Sequence, residues 1–196
     1  MSIFTESVLV VNQKAKLIEL TNEYAISDQN GNKIGSVTQV GQGKGRKVLR
    51  ALTRVDQFLS IKLEVAEADG TVVLRLERGA KLIKSKIAVS DGKGNAIGNI
   101  NQENVIGKIH FGLEAGGRTV GSINAENWRA WNFNIKDHNG REVARVTKKW
   151  AGVMKEAFTT ADNYFVEITQ PIEDPLRSLV LAAALCVDTA LKQDDR

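Results

Sequence analysis

Cysteine occurs once in these 196 residues, at Cys186, and histidine twice, at His110 and His138. A single cysteine excludes an intramolecular disulfide framework and accords with a reducing compartment. One cysteine and two separated histidines also give no spacing for a structural zinc site. No Ser–His–acid order or paired-carboxylate motif stands out, so a non-enzyme is expected. The opening residues MSIFTESVLVVNQKAK contain no basic leader followed by a long apolar run, and this predicts a cytoplasmic protein. Before residue 145 no segment carries a long helical period. With 42% hydrophobic and 26% charged residues, the composition is that of a globular protein and excludes a disordered chain.

Short alternating runs occupy residues 1–170 instead, among them 62–65, 72–76 and 132–135. Between them lie turns of one chemistry: DQNG at 28–31, ADG at 68–70, DGKG at 91–94, AGG at 115–117 and DHNG at 137–140. Asp and Asn can bond their own backbone, and Gly supplies the positive φ that hairpin loops need. Successive turns from Asp69 onward are about 22 to 24 residues apart, one hairpin plus its return. The text around them repeats as SDQNGNKIGSV, SDGKGNAIGNI and EAGGRTVGSI, in which the second strand opens with an apolar–Gly pair. About six hairpins, hence about twelve antiparallel strands, follow. An array of that size must close or split, because open edges invite aggregation.

Both prolines, Pro171 and Pro175, separate the last strand-like run from the stretch DPLRSLVLAAALCVDTALKQ. Asp174 is a suitable N-cap and Pro175 a suitable first helical residue, so a helix is predicted over 174–192. Leu179 to Val187 is continuously apolar, but Arg177 and Asp188 bracket only ten residues. A spanning helix needs about 20, and Asp188 in a longer span would cost about 2.5 kcal/mol or more. A barrel of about twelve strands leaves a lumen to be filled. The expected fold is therefore mainly β, a closed antiparallel barrel over 1–170 with the hydrophobic helix as its plug, all one domain over 1–196. Cys186 should be a small buried hydrophobe of that helix.

The run RVTKKWAGVMKEAFTTADNYFVEI (145–168), then a proline and the apolar helix, resembles the phospholipid scramblase family. More broadly it is similar to the Tubby C-terminal-like superfamily, which includes LURP-one-related proteins. The matching residues are Lys149–Trp150, Gly152, Glu156–Ala157–Phe158, Ala161–Asp162–Asn163 with an aromatic next, and Asp188 in the terminal helix. LTNEYAISDQNGNKIG and KIAVSDGKGNAIGNI resemble its strand–turn units. The resemblance implies a twelve-stranded barrel around a C-terminal helix. It also implies a lipid-related role: calcium-dependent lipid movement in scramblases, phosphoinositide headgroups in Tubby domains. The family's calcium segment begins with an Asp where this chain has Thr160, keeps Asp162 and Asn163, and reaches its proline two residues late, at Pro171. Calcium needs six or more converging oxygens. With one charged ligand replaced, Asp162 and Asn163 read better as turn residues, and no cofactor is expected.

Charge is unevenly spread. Residues 1–160 hold 24 Lys/Arg against 16 Asp/Glu, and residues 161–196 hold 3 against 7. A basic body suits an anionic partner. The densest run, GQGKGRKVLRALTR at 41–54, carries Lys44, Arg46, Lys47, Arg50 and Arg54, the candidate lipid-headgroup residues. It is not a P-loop, since no GK[ST] follows at the required spacing. Arg78, Lys81, Lys84 and Lys86 read as a solvated strand face, and Trp128 and Trp131 as core aromatics on a bulged strand. The functional expectation is a scramblase-related, non-catalytic module binding anionic phospholipid headgroups or a membrane surface, with no transmembrane segment, cytoplasmic or peripheral to the membrane. The alternatives are a soluble scaffold or small-ligand carrier, and a nucleic-acid-binding protein, for which no recognition motif is present.

Overall fold

Every turn read from the sequence joins two antiparallel strands in the computed structural model of the chain. The structure describes residues 2–12, 23–41, 61–79, 85–104, 110–127, 132–148 and 163–191. Within them the strands are β1 (Val8–Asn12), β2 (Glu23–Ser27), β3 (Lys33–Val40), β4 (Ile61–Glu67), β5 (Val72–Arg78) and β6 (Lys86–Asp91). They continue as β7 (Ala96–Gln102), β8 (His110–Ala115), β9 (Arg118–Asn127), β10 (Asn132–Asp137), β11 (Glu142–Thr147) and β12 (Asn163–Ile168), followed by one helix, α1 (Leu176–Leu191). Each strand pairs with its sequence neighbours, and β1 pairs with β12, closing the barrel.

Three of the turns are one structure built three times. Asp28 Oδ1 accepts the N–H groups of Asn30 (2.8 Å) and Asn32 (2.9 Å), while Oδ2 accepts Nδ2 of Asn32 (2.8 Å). Asp91 repeats this with Lys93 and Asn95, and Asp137 with Asn139 and Arg141. In each, the glycine three residues on donates its N–H back to the Asp carbonyl and sits at positive φ, 86° at Gly31, where a Cβ would be strained. Burial pushes the Asp28 and Asp137 carboxyls up, but the hydrogen bonds more than offset it; at Asp91 the Asn95 amide is the largest influence. All three lie below the ordinary carboxylate value. The turn between β4 and β5 departs from the pattern. Its first residue is Glu67, whose longer side chain leaves its own turn and takes the Ser2 hydroxyl (2.6 Å) and the Ile3 N–H (3.1 Å).

Alternation along the strands sends Ile26, Val37, Val65, Leu74, Ile87, Leu113, Ile135 and Val166 into the lumen, each at most 3% exposed. α1 fills it. Residues 179–186 are all buried, the whole circumference of two turns, as a helix apolar on every side requires. Asp174 caps the start, accepting the Ser178 N–H (3.0 Å) and hydroxyl (2.7 Å), though regular helix begins at Leu176, one residue later than expected.

The repeated apolar–Gly pairs acquire their reason here. A Cβ at Gly98 would meet the Glu114 carbonyl of the next strand and Leu179 Cδ1 at 3.2 Å. At Gly121 it would meet the Lys136 carbonyl at 2.5 Å and Leu176 Cδ1 at 3.0 Å. The glycines thin the wall where the plug lies closest. Gly35 does the same for Ile3, which is 1% exposed.

Candidate functional site

An all-antiparallel barrel with nearest-neighbour connections has two unlike ends. Turns leading from an even-numbered strand to the next odd one, at 28–32, 67–71, 91–95, 115–118 and 137–141, all lie at one end. β12 also finishes there, so α1 enters from this turn end and runs toward the other. The opposite, loop end receives the connections β1 to β2, β3 to β4, β5 to β6, β7 to β8, β9 to β10 and β11 to β12, the longest of them residues 41–60 between β3 and β4.

The expected headgroup residues belong to one of these. Lys44, Arg46, Lys47, Arg50 and Arg54 lie outside the described residues, in the chain joining Val40 of β3 to Ile61 of β4 at the loop end. Gly41, which opens the run, is described and sits at φ 77°. Asp162, Lys81, Lys84, Trp128 and Trp131 also lie outside the described residues, as does Lys192 at the expected helix end. Asn163 opens β12 at the loop end, paired in register with Asn12 and 4% exposed. Among the described residues no group of three or more His, Cys, Asp or Glu side chains converges on a common point.

Arg78 corrects the expectation of a solvated basic face. It has the parity of Leu74 and Leu76 on β5, points into the barrel near its loop end, and is 5% exposed. Lys86, with the opposite orientation on β6, is exposed. Arg78 acts on the thiol of Cys186, which burial raises to about 12 and the guanidinium draws partly back. The thiol stays protonated at neutral pH, as a structural cysteine should.

One feature of the loop half was missed in the sequence: a polar ladder across the outer face of β8 to β11. At its centre Arg145 on β11 donates from Nη1 to Glu126 Oε2 (2.8 Å) and Asn132 Oδ1 (2.7 Å). From Nε and Nη2 it donates to both oxygens of Glu142, each at 2.8 Å. Glu126 also accepts Nδ2 of Asn132 (2.9 Å) and of Asn134 (2.8 Å). The Arg145 and Asn134 hydrogen bonds hold the Glu126 carboxyl down at about 2, and the same carboxylates raise the guanidinium above its usual value. The ladder continues through Asn124, which donates to Asn134 Oδ1 (3.1 Å) and Ser122 Oγ (3.1 Å) and presents Oδ1 to Nδ1 of His110. His110 Nε2 lies 2.8 Å from Glu103 Oε2, just past the end of β7. The signal was available in SINAEN and NFNIK, where every second residue is polar and rich in amides.

No helix among the described residues is long and apolar enough to cross a membrane. At 16 residues α1 is about 24 Å long, short of the roughly 30 Å hydrocarbon core.

The chain is 23% identical over 185 residues to a phospholipid scramblase family protein of Schizosaccharomyces pombe, covering 85% of this chain and 47% of that protein. It is 24% identical over 202 aligned residues to altered inheritance rate of mitochondria protein 25 of Saccharomyces cerevisiae, covering 84% and 59%. A shorter match, 30% over 46 residues, covers 24% of this chain and 16% of human phospholipid scramblase 2. The chain thus spans about half the length of these first two relatives. No solved structure matches it. The Scramblase family profile matches residues 2–191, from the N-terminal segment at the turn end to the last described residue of the plug, and the chain belongs to that family.

Proposed function

We propose that this chain binds anionic phospholipid surfaces through the loop end of its barrel, by charge and without a catalytic step. The observation that carries the reading is topological. The connection bearing Lys44, Arg46, Lys47, Arg50 and Arg54 leaves β3 and returns to β4 at the end of the barrel where exposed Lys86 and Lys148 lie, so the reading rests on strand direction and charge. Membership of a family with relatives named for phospholipid scrambling supplies the ligand class. Juxtamembrane basic residues contribute about 1 kcal/mol each near an anionic surface, screened by salt. The interior is occupied by α1, which disfavours a small-ligand carrier. The residues that would bind calcium are not all retained, so the proposed binding needs no calcium.

Co-sedimentation with vesicles of phosphatidylcholine alone or with phosphatidylserine, at two salt concentrations, tests this. Binding should require the anionic lipid, weaken with salt and be unchanged by a calcium chelator. Lys44→Glu, Arg46→Glu and Lys47→Glu combined should abolish it with the thermal midpoint unchanged. Equal binding to neutral vesicles, or salt-sensitive binding to duplex DNA in place of lipid, would overturn the reading.

A further inference from the structure

Each turn at the turn end is followed by a β-bulge. The extra residues are Ile34 of β3, Val73 of β5, Ile97 of β7, Val120 of β9 and Val143 of β11. All five belong to the hydrophobic core or pack against it. A bulge sets two successive residues against one partner, so the mouth of the barrel gains a ring of apolar side chains that plain alternation would not supply. The ring is covered on one side only. Ile34 and Val143 are each 3% exposed: Ile3 lies against Gly35, and the chain leaving β12 donates the Thr169 N–H to the Val143 carbonyl (2.9 Å). Val73, Ile97 and Val120 stay partly exposed across the mouth, beside Leu176 at the start of α1 and Ile172 before it.

The rim of this open sector is acidic. Residues 2–7, 28–34, 67–73, 91–97, 114–120, 137–143 and 168–177, which make up the turn end, hold ten Asp/Glu against five Lys/Arg, in a chain of net charge +4. A second turn end or an anionic lipid surface would meet like charge there. A basic segment with apolar side chains between its cations meets complementary charge and an apolar seat. Residues 43–54, GKGRKVLRALTR, have that composition: five Lys/Arg, no Asp/Glu, and Val48, Leu49 and Leu52 among them. Within one molecule the two cannot meet. From Lys33 to Val40, β3 carries the chain about 23 Å away from the turn end, and Lys44, four residues on, lies within roughly 14 Å of Val40. We propose that the open sector of the turn end seats residues 43–54 of a second copy, joining molecules head to tail. The contact is heterologous, each molecule offering its turn end to one neighbour and its basic run to another. It does not rest on lipid binding, and its test contains no lipid.

Sedimentation velocity of the unaltered protein reads the association. At an ionic strength of about 0.01 M, species larger than a monomer should grow with protein concentration; at about 1 M, where screening acts within about 3 Å, only monomer should remain. Ile97→Lys puts a cation in the seat and should lose the larger species at low salt. Glu173→Lys, at an exposed position, should reduce them and serves in its place if Ile97→Lys does not fold. Lys44→Glu, Arg46→Glu and Lys47→Glu combined should also leave a monomer. Mixed with the turn-end variant it should form dimers, since each keeps the face that the other lacks. A parent that is monomeric at low salt, turn-end variants that associate as the parent does, or a mixture that stays monomeric would overturn the proposal.

Discussion

The two ends of the barrel are built on opposite plans. At the turn end the chain reverses within a few residues, and three of the reversals are carried by an Asp that feeds its own backbone. The same end is sealed by residues 2–6, held by Glu67 and by Arg177, whose Nη2 donates to the Glu6 carbonyl (3.1 Å), and by the capped start of α1. Polar groups here are spent on closing the structure. At the loop end the strands open into longer connections, and those carry the basic run at 44–54. The outer ladder beneath that end ties β8 to β11 together, four strands, without a turn. A barrel whose order is secured at one end can vary the other without losing its fold, which is how binding surfaces are commonly carried on rigid scaffolds.

The largest effect belongs to the interior that both ends share. Leu181 is 1% exposed in the middle of α1. Leu181→Asp places an unpaired carboxylate in the lumen at a cost of about 5 kcal/mol or more, comparable to the whole stability of an ordinary domain. The variant should lose its β-sheet circular dichroism in the absence of any membrane. A folded, soluble variant with an unchanged melting midpoint would remove α1 from the barrel interior.

Next comes a change that should separate the two ends. Asp28→Ala removes the acceptor for two backbone N–H groups in a turn where Asp28 itself is 0% exposed, and should destabilise the fold by about 1–2 kcal/mol. Urea denaturation reads the loss. Vesicle binding per folded molecule should not change, the reverse of the charge-reversal variant at the loop end. If Asp28→Ala weakens vesicle binding as strongly as it weakens the fold, the ends do not divide stability from recognition.

What the sequence disclosed depended on how local the physics is. DQNG, DGKG and DHNG signal their turns because the Asp bonds residues two and four further on. The plug was legible because residues 179–187 are apolar without a break behind a capping Asp. The apolar–Gly pairs were visible as a repeat, but their cause is a carbonyl on the next strand and a leucine some 55 to 80 positions away in α1. Arg78 was misread by weighing its charge above its place in the alternation, since VVLRLER sends residues 74, 76 and 78 to one side. The ladder escaped because Glu103, His110, Asn124, Asn134 and Arg145 meet only once four strands are in register. The basic run was read from charge alone, which says what it could attract but not how it is held.

The smallest effect sharpens the loop side of the comparison, through acid. Glu126 has its carboxyl pKa lowered from 4.5 to about 2 in the folded protein, chiefly by the Arg145 hydrogen bond and then by Asn134. A depressed carboxyl contributes stability above its unfolded value that is lost as pH falls toward the folded one. Between pH 4.5 and about 2 the unfolded chain therefore gains a proton that the folded chain refuses at Glu126, and stability should decline across that window. The side chain is 41% exposed, so solvent screening keeps the contribution small. Glu126→Gln should flatten this part of the pH–stability curve, leaving the part due to Asp28, Asp91 and Asp137 at the turn end, whose carboxyls are lowered as well. Equal acid sensitivity in the variant and the parent would mean that the ladder contributes nothing to holding β9, β10 and β11 together, and that the loop half relies on backbone pairing and the plug alone.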